Sequence, residues 1–186
     1  MASRKTKNNI TEYFIDNLLK KGDIAIDATA GNGNDTLKLC RKVGKEGKVY
    51  AFDIQKIALD NTKKLLLENG FENASLIQDS HSNMDKYISE NVKAVIFNLG
   101  YLPGGDHRVQ TKKDTTIEAI KKSLELVADD GFVCVSIYYG KNSGTEEKTA
   151  VMEYLKKIDY KKYTVLVCDF YNRPNNPPLT VVITKN

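Results

Sequence analysis

The sequence predicts an α/β protein built on an open, mostly parallel β-sheet with helices on both faces. Strand-length apolar runs alternate with amphipathic helical stretches. Acids or amides stand at the carboxyl ends of four consecutive runs, where open α/β sheets bind ligands. The last two runs are joined by Tyr171-Asn-Arg-Pro-Asn-Asn-Pro-Pro178, too short for a parallel crossover, so they form an antiparallel hairpin.

Asn9 and Glu12 resemble a capping box that opens an amphipathic stretch (Ile10, Phe14, Leu18) closed by Gly22. Ile24–Asp27 is a first strand running into Thr-Ala-Gly-Asn-Gly-Asn-Asp, and a helix follows over 35–42. Lys48–Asp53 is the second strand. Residues 55–69 carry Ala58, Leu59, Thr62, Leu65 and Leu66 on one face and end at Gly70, the pattern of a helix. Ala74–Asp79 is a third strand, His81–Ile88 a short helix, and Ala94–Asn98 a fourth strand. A polar, glycine-rich stretch over 99–112 precedes a helix over 115–127. The fifth strand is predicted at 131–139 and a helix at 146–158. Strands over 163–170 and 179–184 complete the chain.

At 186 residues the expectation is one domain over 1–186, with residues 1–22 packed on it as a helical segment. A hydrophobic fraction of 41% and a charged fraction of 28% exclude disordered and collagen-like chains. No apolar run reaches the length of a membrane span, and the basic start has no apolar stretch behind it, so neither a membrane protein nor a secreted one is expected. Cys40, Cys134 and Cys168 are far apart, and the last two sit within apolar runs. They read as reduced thiols, Cys134 and Cys168 as buried ones, in a cytoplasmic protein. With two histidines and no cysteine near either, no metal site is expected. A net charge of +4 tolerates a polyanionic partner without requiring one.

Gly31 and Gly33 allow close approach of backbone to a ligand, and the helix behind them offers free N–H groups. Thr36 stands where a dinucleotide fingerprint wants a third glycine, and Asp35 would repel a pyrophosphate. No Gly-Lys-Ser/Thr follows, so a P-loop is excluded. A zwitterionic, net-cationic ligand such as S-adenosylmethionine fits better, with Asp53, 22 residues after Gly31, accepting from ribose hydroxyls. Asp53 serves NAD equally well. Asn98-Leu-Gly-Tyr101 has the shape of the Asn/Asp-Pro-Pro-Tyr loop of amino-methylating enzymes. There the Asn98 side chain and the Leu99 carbonyl accept the N–H bonds of the attacking amine while Tyr101 flanks a planar base. A glycine-rich turn capped by Asn98 is the plainer alternative.

Together, the segments 27–36, 51–55, 78–81, 98–107 and 171–185 resemble those of the rRNA-methylase-like family of small class I S-adenosylmethionine-dependent methyltransferases, a family that includes tRNA wobble-uridine enzymes. The resemblance implies a Rossmann-like class I methyltransferase fold: a seven-stranded, mostly parallel sheet with a C-terminal antiparallel hairpin. It implies S-adenosylmethionine as cofactor, contacted by Asn32, Asn34, Asp53, Gln55, Ser80 and His81, with Asp27, Gly31, Gly33, Asp35 and Asp79 completing the site. Asp27 can instead orient the glycine turn, and His81 can simply start the third helix. Asp106 and His107 are the candidates for proton handling, alongside Asn98, Leu99 and Tyr101 as the catalytic group. Arg108, Tyr171 and Arg173 are placed on the RNA, although a proline-stiffened connection explains 171–178 as well. The implied reaction is N-methylation of the aminomethyl group of 5-aminomethyl-2-thiouridine in the tRNA anticodon stem-loop, carried out by a possible homodimer. An rRNA or small-molecule N-methyltransferase is the alternative within enzymes, and a non-catalytic cofactor- or RNA-binding module the alternative outside them.

Overall fold

The structure, a computed structural model, describes residues 9–105, 108–140 and 144–186. Seven strands form one sheet: β1 (Ile24–Asp27), β2 (Lys48–Phe52), β3 (Ala74–Ile77), β4 (Val92–Leu99), β5 (Val127–Ile137), β6 (Tyr163–Cys168) and β7 (Leu179–Lys185). Their order is β3-β2-β1-β4-β5-β7-β6. The first five are parallel, while β7 runs antiparallel to both neighbours and lies between β5 and β6. The helices are α1 (Asn9–Leu18), α2 (Asn34–Val43), α3 (Lys56–Glu68), α4 (Lys113–Leu126) and α5 (Thr145–Leu155), with a 3-10 helix over His81–Lys86.

Period-two alternation explains the two-sided core. Ala94 and Ile96 of β4, with Phe132 and Cys134 of β5 and Val182 of β7, face Ile15, Leu19, Leu39 and Val43 of the first two helices and the residue after α1. Val95 and Phe97, with Val133, Val135, Val181 and Ile183, face Met84, Ile120, Leu124, Val151 and Leu155 on the other side. No helix among the described residues is long and apolar enough to cross a membrane.

Four expectations change. Asn9 already lies inside α1 rather than capping it, and Glu12 turns to Lys38 at 2.7 Å. β5 begins at Val127, not Gly131: α4 stops at Leu126 and Val127 pairs at once with Val92, before a register shift restores pairing at Ala94. It thus includes two exposed acids, Asp129 and Asp130, that lie before the expected start of the strand. The short helix after β3 is a 3-10 helix. Cys168 is half-buried on the edge strand, whereas Cys40 and Cys134 are buried, and all three are free thiols.

Candidate active site

The strand order reverses between β1 and β4, and the loops leaving these two strands bound a cleft of about 1040 Å³. The loop after β1 is fastened to both neighbouring strands. Ala28 N–H donates to Ile96 O and Ala30 N–H to Phe52 O, each at 2.9 Å. Asn98 N–H donates to Thr29 Oγ1 at 2.7 Å.

Its turn then depends on two glycines in different ways. Gly31 has φ 53°, and its N–H donates to Asp53 Oδ2 at 3.0 Å. Gly33 has φ 79° and precedes α2; a Cβ there would stand 2.8 Å from the Cα of Thr62. Gly33 is therefore a packing residue between turn and α3 and does not line the cleft. Asp27 does not line it either. Fully buried beneath the turn, it accepts from Thr36 Oγ1 at 2.6 Å and from Thr29 N–H at 3.1 Å. Burial, then the nearby Asp35 carboxylate, push the Asp27 pKa up to about 7 against the pull of those hydrogen bonds.

Gly31, Asn32, Asn34, Asp35, Asp53 and Gln55 line one half of the cleft, joined by Asp79, Ser80 and His81. Asp53 Oδ1 also accepts from Gln55 N–H at 2.9 Å, so two backbone donors hold its carboxylate at the cleft wall. Asn32 spans the cleft edge: its amide donates to Pro103 O at 3.2 Å, and its oxygen accepts from Asn61 at 3.1 Å. Asp79 accepts from Ser80 N–H, Asn83 and Tyr87, and the Asn83 bond leads in holding its pKa below the usual carboxylate range. Ser80 caps the 3-10 helix by accepting from Ser82 N–H. His81 Nδ1–H donates to Ala28 O at 3.0 Å, and burial lowers its pKa, so the ring is neutral near pH 7. Its Nε2 is then a buried acceptor without a hydrogen-bond partner among the described residues.

Asn98, Leu99 and Tyr101 line the opposite half, together with Tyr138, Tyr139 and Thr111. Asn98 Nδ2 donates to Asp35 Oδ2 at 2.7 Å, which turns the amide oxygen away from that carboxylate. Asp35 Oδ1 lies 3.1 Å from Lys38 Nζ, itself 2.7 Å from Glu12. Burial works against the Lys38 charge, but the Glu12 hydrogen bond and the Asp35 carboxylate outweigh it and raise its pKa. Asp106 and His107 lie outside the described residues. Arg108, Tyr171 and Arg173 are exposed and do not line the cleft; Arg173 sits 4.1 Å over the Phe170 ring. From the same connection Asn176, in a left-handed conformation (φ 46°), does reach the cleft. Sequence reasoning missed Asn176, Lys38 and Thr111; the strand-end loop holding Thr111 and the 171–178 connection holding Asn176 were singled out, but not these residues.

The site suits a cationic nucleoside. Asp35, Asp53 and Asp79 border one half; Asp35 and, least of all, Asp53 add to burial, the main cause, in suppressing ionisation of Asp27. A buried acceptor at His81 Nε2 awaits a donor, and the Gly31 turn leaves room for backbone approach: a Cβ there would meet nothing nearer than Leu102 Cδ1 at 3.6 Å.

Comparisons with known proteins agree. A family model described as "Putative rRNA methylase" matches residues 49–184. The chain is 34% identical, over its full length and 72% of the relative's, to the tRNA (mnm(5)s(2)U34)-methyltransferase, chloroplastic, of Arabidopsis thaliana. A solved structure from Clostridium thermocellum, described as a "putative rRNA-methylase", superposes with a TM-score of 0.91 at 49% identity, covering 94% of each chain. A structure from Streptococcus mutans, described as "a putative methyltransferase" and solved in complex with SAH, superposes with a TM-score of 0.87 at 42% identity, covering 95% of this chain and 96% of that one.

Proposed function

The chain belongs to this rRNA methylase family, S-adenosylmethionine-dependent RNA methyltransferases, and from that premise we propose that its acceptor is the aminomethyl nitrogen of 5-aminomethyl-2-thiouridine at the tRNA wobble position. The product is 5-methylaminomethyl-2-thiouridine. The observation that carries a nitrogen acceptor is the Asn98–Asp35 hydrogen bond: it fixes a carboxamide at the end of β4, in the cleft it shares with Asp53. The Arabidopsis relative supports the tRNA substrate.

Asp53 takes the ribose hydroxyls, His81 Nε2 and Ser80 lie along the nucleoside, and the turn at Gly31 and Asn32 takes the amino-acid end. S-adenosylmethionine, when bound there, supplies an electrophilic sulfonium methyl. The chain's own residues then have a positioning task. The acceptor nitrogen must present a lone pair, so its N–H bonds go to the Asn98 oxygen and the Leu99 carbonyl. Alignment of that kind contributes roughly 7–11 kcal/mol to lowering a barrier. Tyr101, 42% exposed at the cleft mouth, offers a ring face to the base. Asp106 attracts the substrate ammonium; His107 or water takes one proton from it before attack, and a second proton leaves the methylated ammonium to water after transfer.

The test is methylation of two tRNAs, one bearing and one lacking 5-aminomethyl-2-thiouridine, with rRNA as a third substrate, followed by nucleoside mass spectrometry. A mass gain of one methyl group on the modified tRNA alone is expected. Methylation of rRNA in its place would overturn the substrate.

A further inference from the structure

The loop leaving β4 closes on a single residue. Gly100 has φ 143°, in the region that favours glycine. Its N–H donates to Thr111 Oγ1 and its carbonyl accepts from Thr111 N–H, both at 2.9 Å. Tyr101 and Gln110 pair antiparallel just inside, so Thr111 stands at the base of the loop. The Thr111 hydroxyl has one hydrogen to donate, and it goes to Glu147 Oε2 at 2.7 Å. The second oxygen of Glu147 accepts from Thr116 Oγ1 at 2.6 Å.

Glu147 is only 7% exposed and lies in the first turn of α5, where the free N–H end of the helix favours a carboxylate. It does not line the cleft, whereas Thr111 does. The N-terminus of α5 is held in place on two sides. A Cβ at Gly144 would stand 2.3 Å from the Tyr138 carbonyl oxygen, and Glu146 pairs with Lys113 at the start of α4. A carboxylate suits this junction because it has two acceptor oxygens and no hydrogen to place.

We propose that Glu147 is a positioning residue for methyl transfer: by gripping Thr111 and Thr116 it fixes Gly100, and through it the Leu99 carbonyl and the Asn98 amide, relative to the cofactor half. The inference rests on Asn98 and Leu99 being the acceptor side. Among the described residues, Gly31, Asp53 and His81 make their hydrogen bonds to partners outside this grip, so cofactor binding is independent of it.

Glu147→Ala, Glu147→Gln and Thr111→Val are to be compared with the unaltered chain. The readouts are turnover on modified tRNA at saturating S-adenosylmethionine, S-adenosylhomocysteine affinity by calorimetry, and amide exchange at Gly100 and Gly31. Glu147→Ala is expected to slow turnover on the order of 10–100-fold, since small misplacements are that costly. Cofactor affinity should stay within about twofold, and exchange should accelerate at Gly100 but not at Gly31. Glu147→Gln should recover most of the rate, because its amide can still accept from one threonine and donate to the other. Glu147→Ala combined with Thr111→Val should be no slower than the worse single variant. Turnover of Glu147→Ala within about twofold of the unaltered chain, a parallel loss of cofactor affinity, or a Gln variant as slow as Ala overturns the proposal. If the unaltered chain leaves the tRNA unmethylated, the substrate reading falls by itself; exchange at Gly100 then decides the grip, and an unchanged rate there overturns it.

Discussion

Asn98 Nδ2 donates to Asp35 Oδ2 at 2.7 Å across the point where the sheet reverses direction, and Asp35 in turn holds Lys38. A residue of α2 thus helps to orient the carboxamide that β4 carries. Asn98→Ala should reduce kcat on the order of a hundredfold, the cost typical of a lost transition-state hydrogen-bond partner. Affinity for S-adenosylhomocysteine should change little, since Asn98 lies in the other half of the cleft. Asp35→Asn retains an acceptor for Asn98 but loses the charge on Lys38, so it should be milder. Steady-state kinetics with calorimetry checks both, and equal damage to cofactor affinity in Asn98→Ala would remove Asn98 from the acceptor side.

The two turn glycines make different predictions. Gly33→Ala meets the α3 backbone at Thr62 and must also hold φ 79°. Left-handed strain of about 1–2 kcal/mol adds to overpacking of about 1–3 kcal/mol. Gly31→Ala meets only ordinary contact distance and should carry the strain alone. Urea unfolding of both variants is the measurement, and the expected order is Gly33→Ala well below Gly31→Ala.

Much of this was legible because strand-end polarity and hydrophobic period are local properties. Ile24–Asp27 was bounded in sequence as it stands in the structure, since an apolar run abuts a glycine turn. Partners across the sheet were not legible. Glu147 looks like any acid in a helical first turn, and only the fold brings it to Thr111, 36 residues away. Gly33 read as a ligand glycine because sequence shows the need for a missing Cβ but not which neighbour would collide with it. Asp27 read either as a site carboxylate or as a residue that orients the glycine turn, and its hydrogen bonds from Thr29 and Thr36 fit the second. Lys38 was invisible as a cleft residue because its partner Glu12 comes from α1.

Asp27 should leave a signature in stability against pH. Its folded-state pKa of about 7 exceeds the ordinary 3.8, so the folded chain keeps a proton that the unfolded chain releases. The stabilisation from this group is complete below about pH 4 and is lost as pH rises through 7, on the order of 4 kcal/mol in total. Asp27→Asn abolishes that titration while keeping an oxygen for Thr36 or Thr29. Its stability relative to the unaltered chain should therefore climb between pH 4 and pH 8. His81 contributes with the opposite sign, losing stability as pH falls below its ordinary 6.5, but it is present in both chains and cancels in the difference. Urea midpoints at several pH values test this, and a flat difference curve would mean Asp27 is ionised in the folded chain.

Arg173 sits over Phe170 on a connection outside the cleft, and Tyr171 beside it is fully exposed. The ring contact confines the guanidinium without neutralising it, so its charge remains available to a phosphate. Arg173→Ala should weaken tRNA binding across sequences and reduce the salt dependence of binding by about one released counterion. Tyr171→Ala should weaken binding with little change in that salt slope, because a stacking ring neutralises no phosphate. Both variants should bind S-adenosylhomocysteine as the unaltered chain does. Fluorescence titrations with tRNA at several salt concentrations separate the two effects. Unchanged affinity and slope in both variants would remove Arg173 and Tyr171 from the RNA interface.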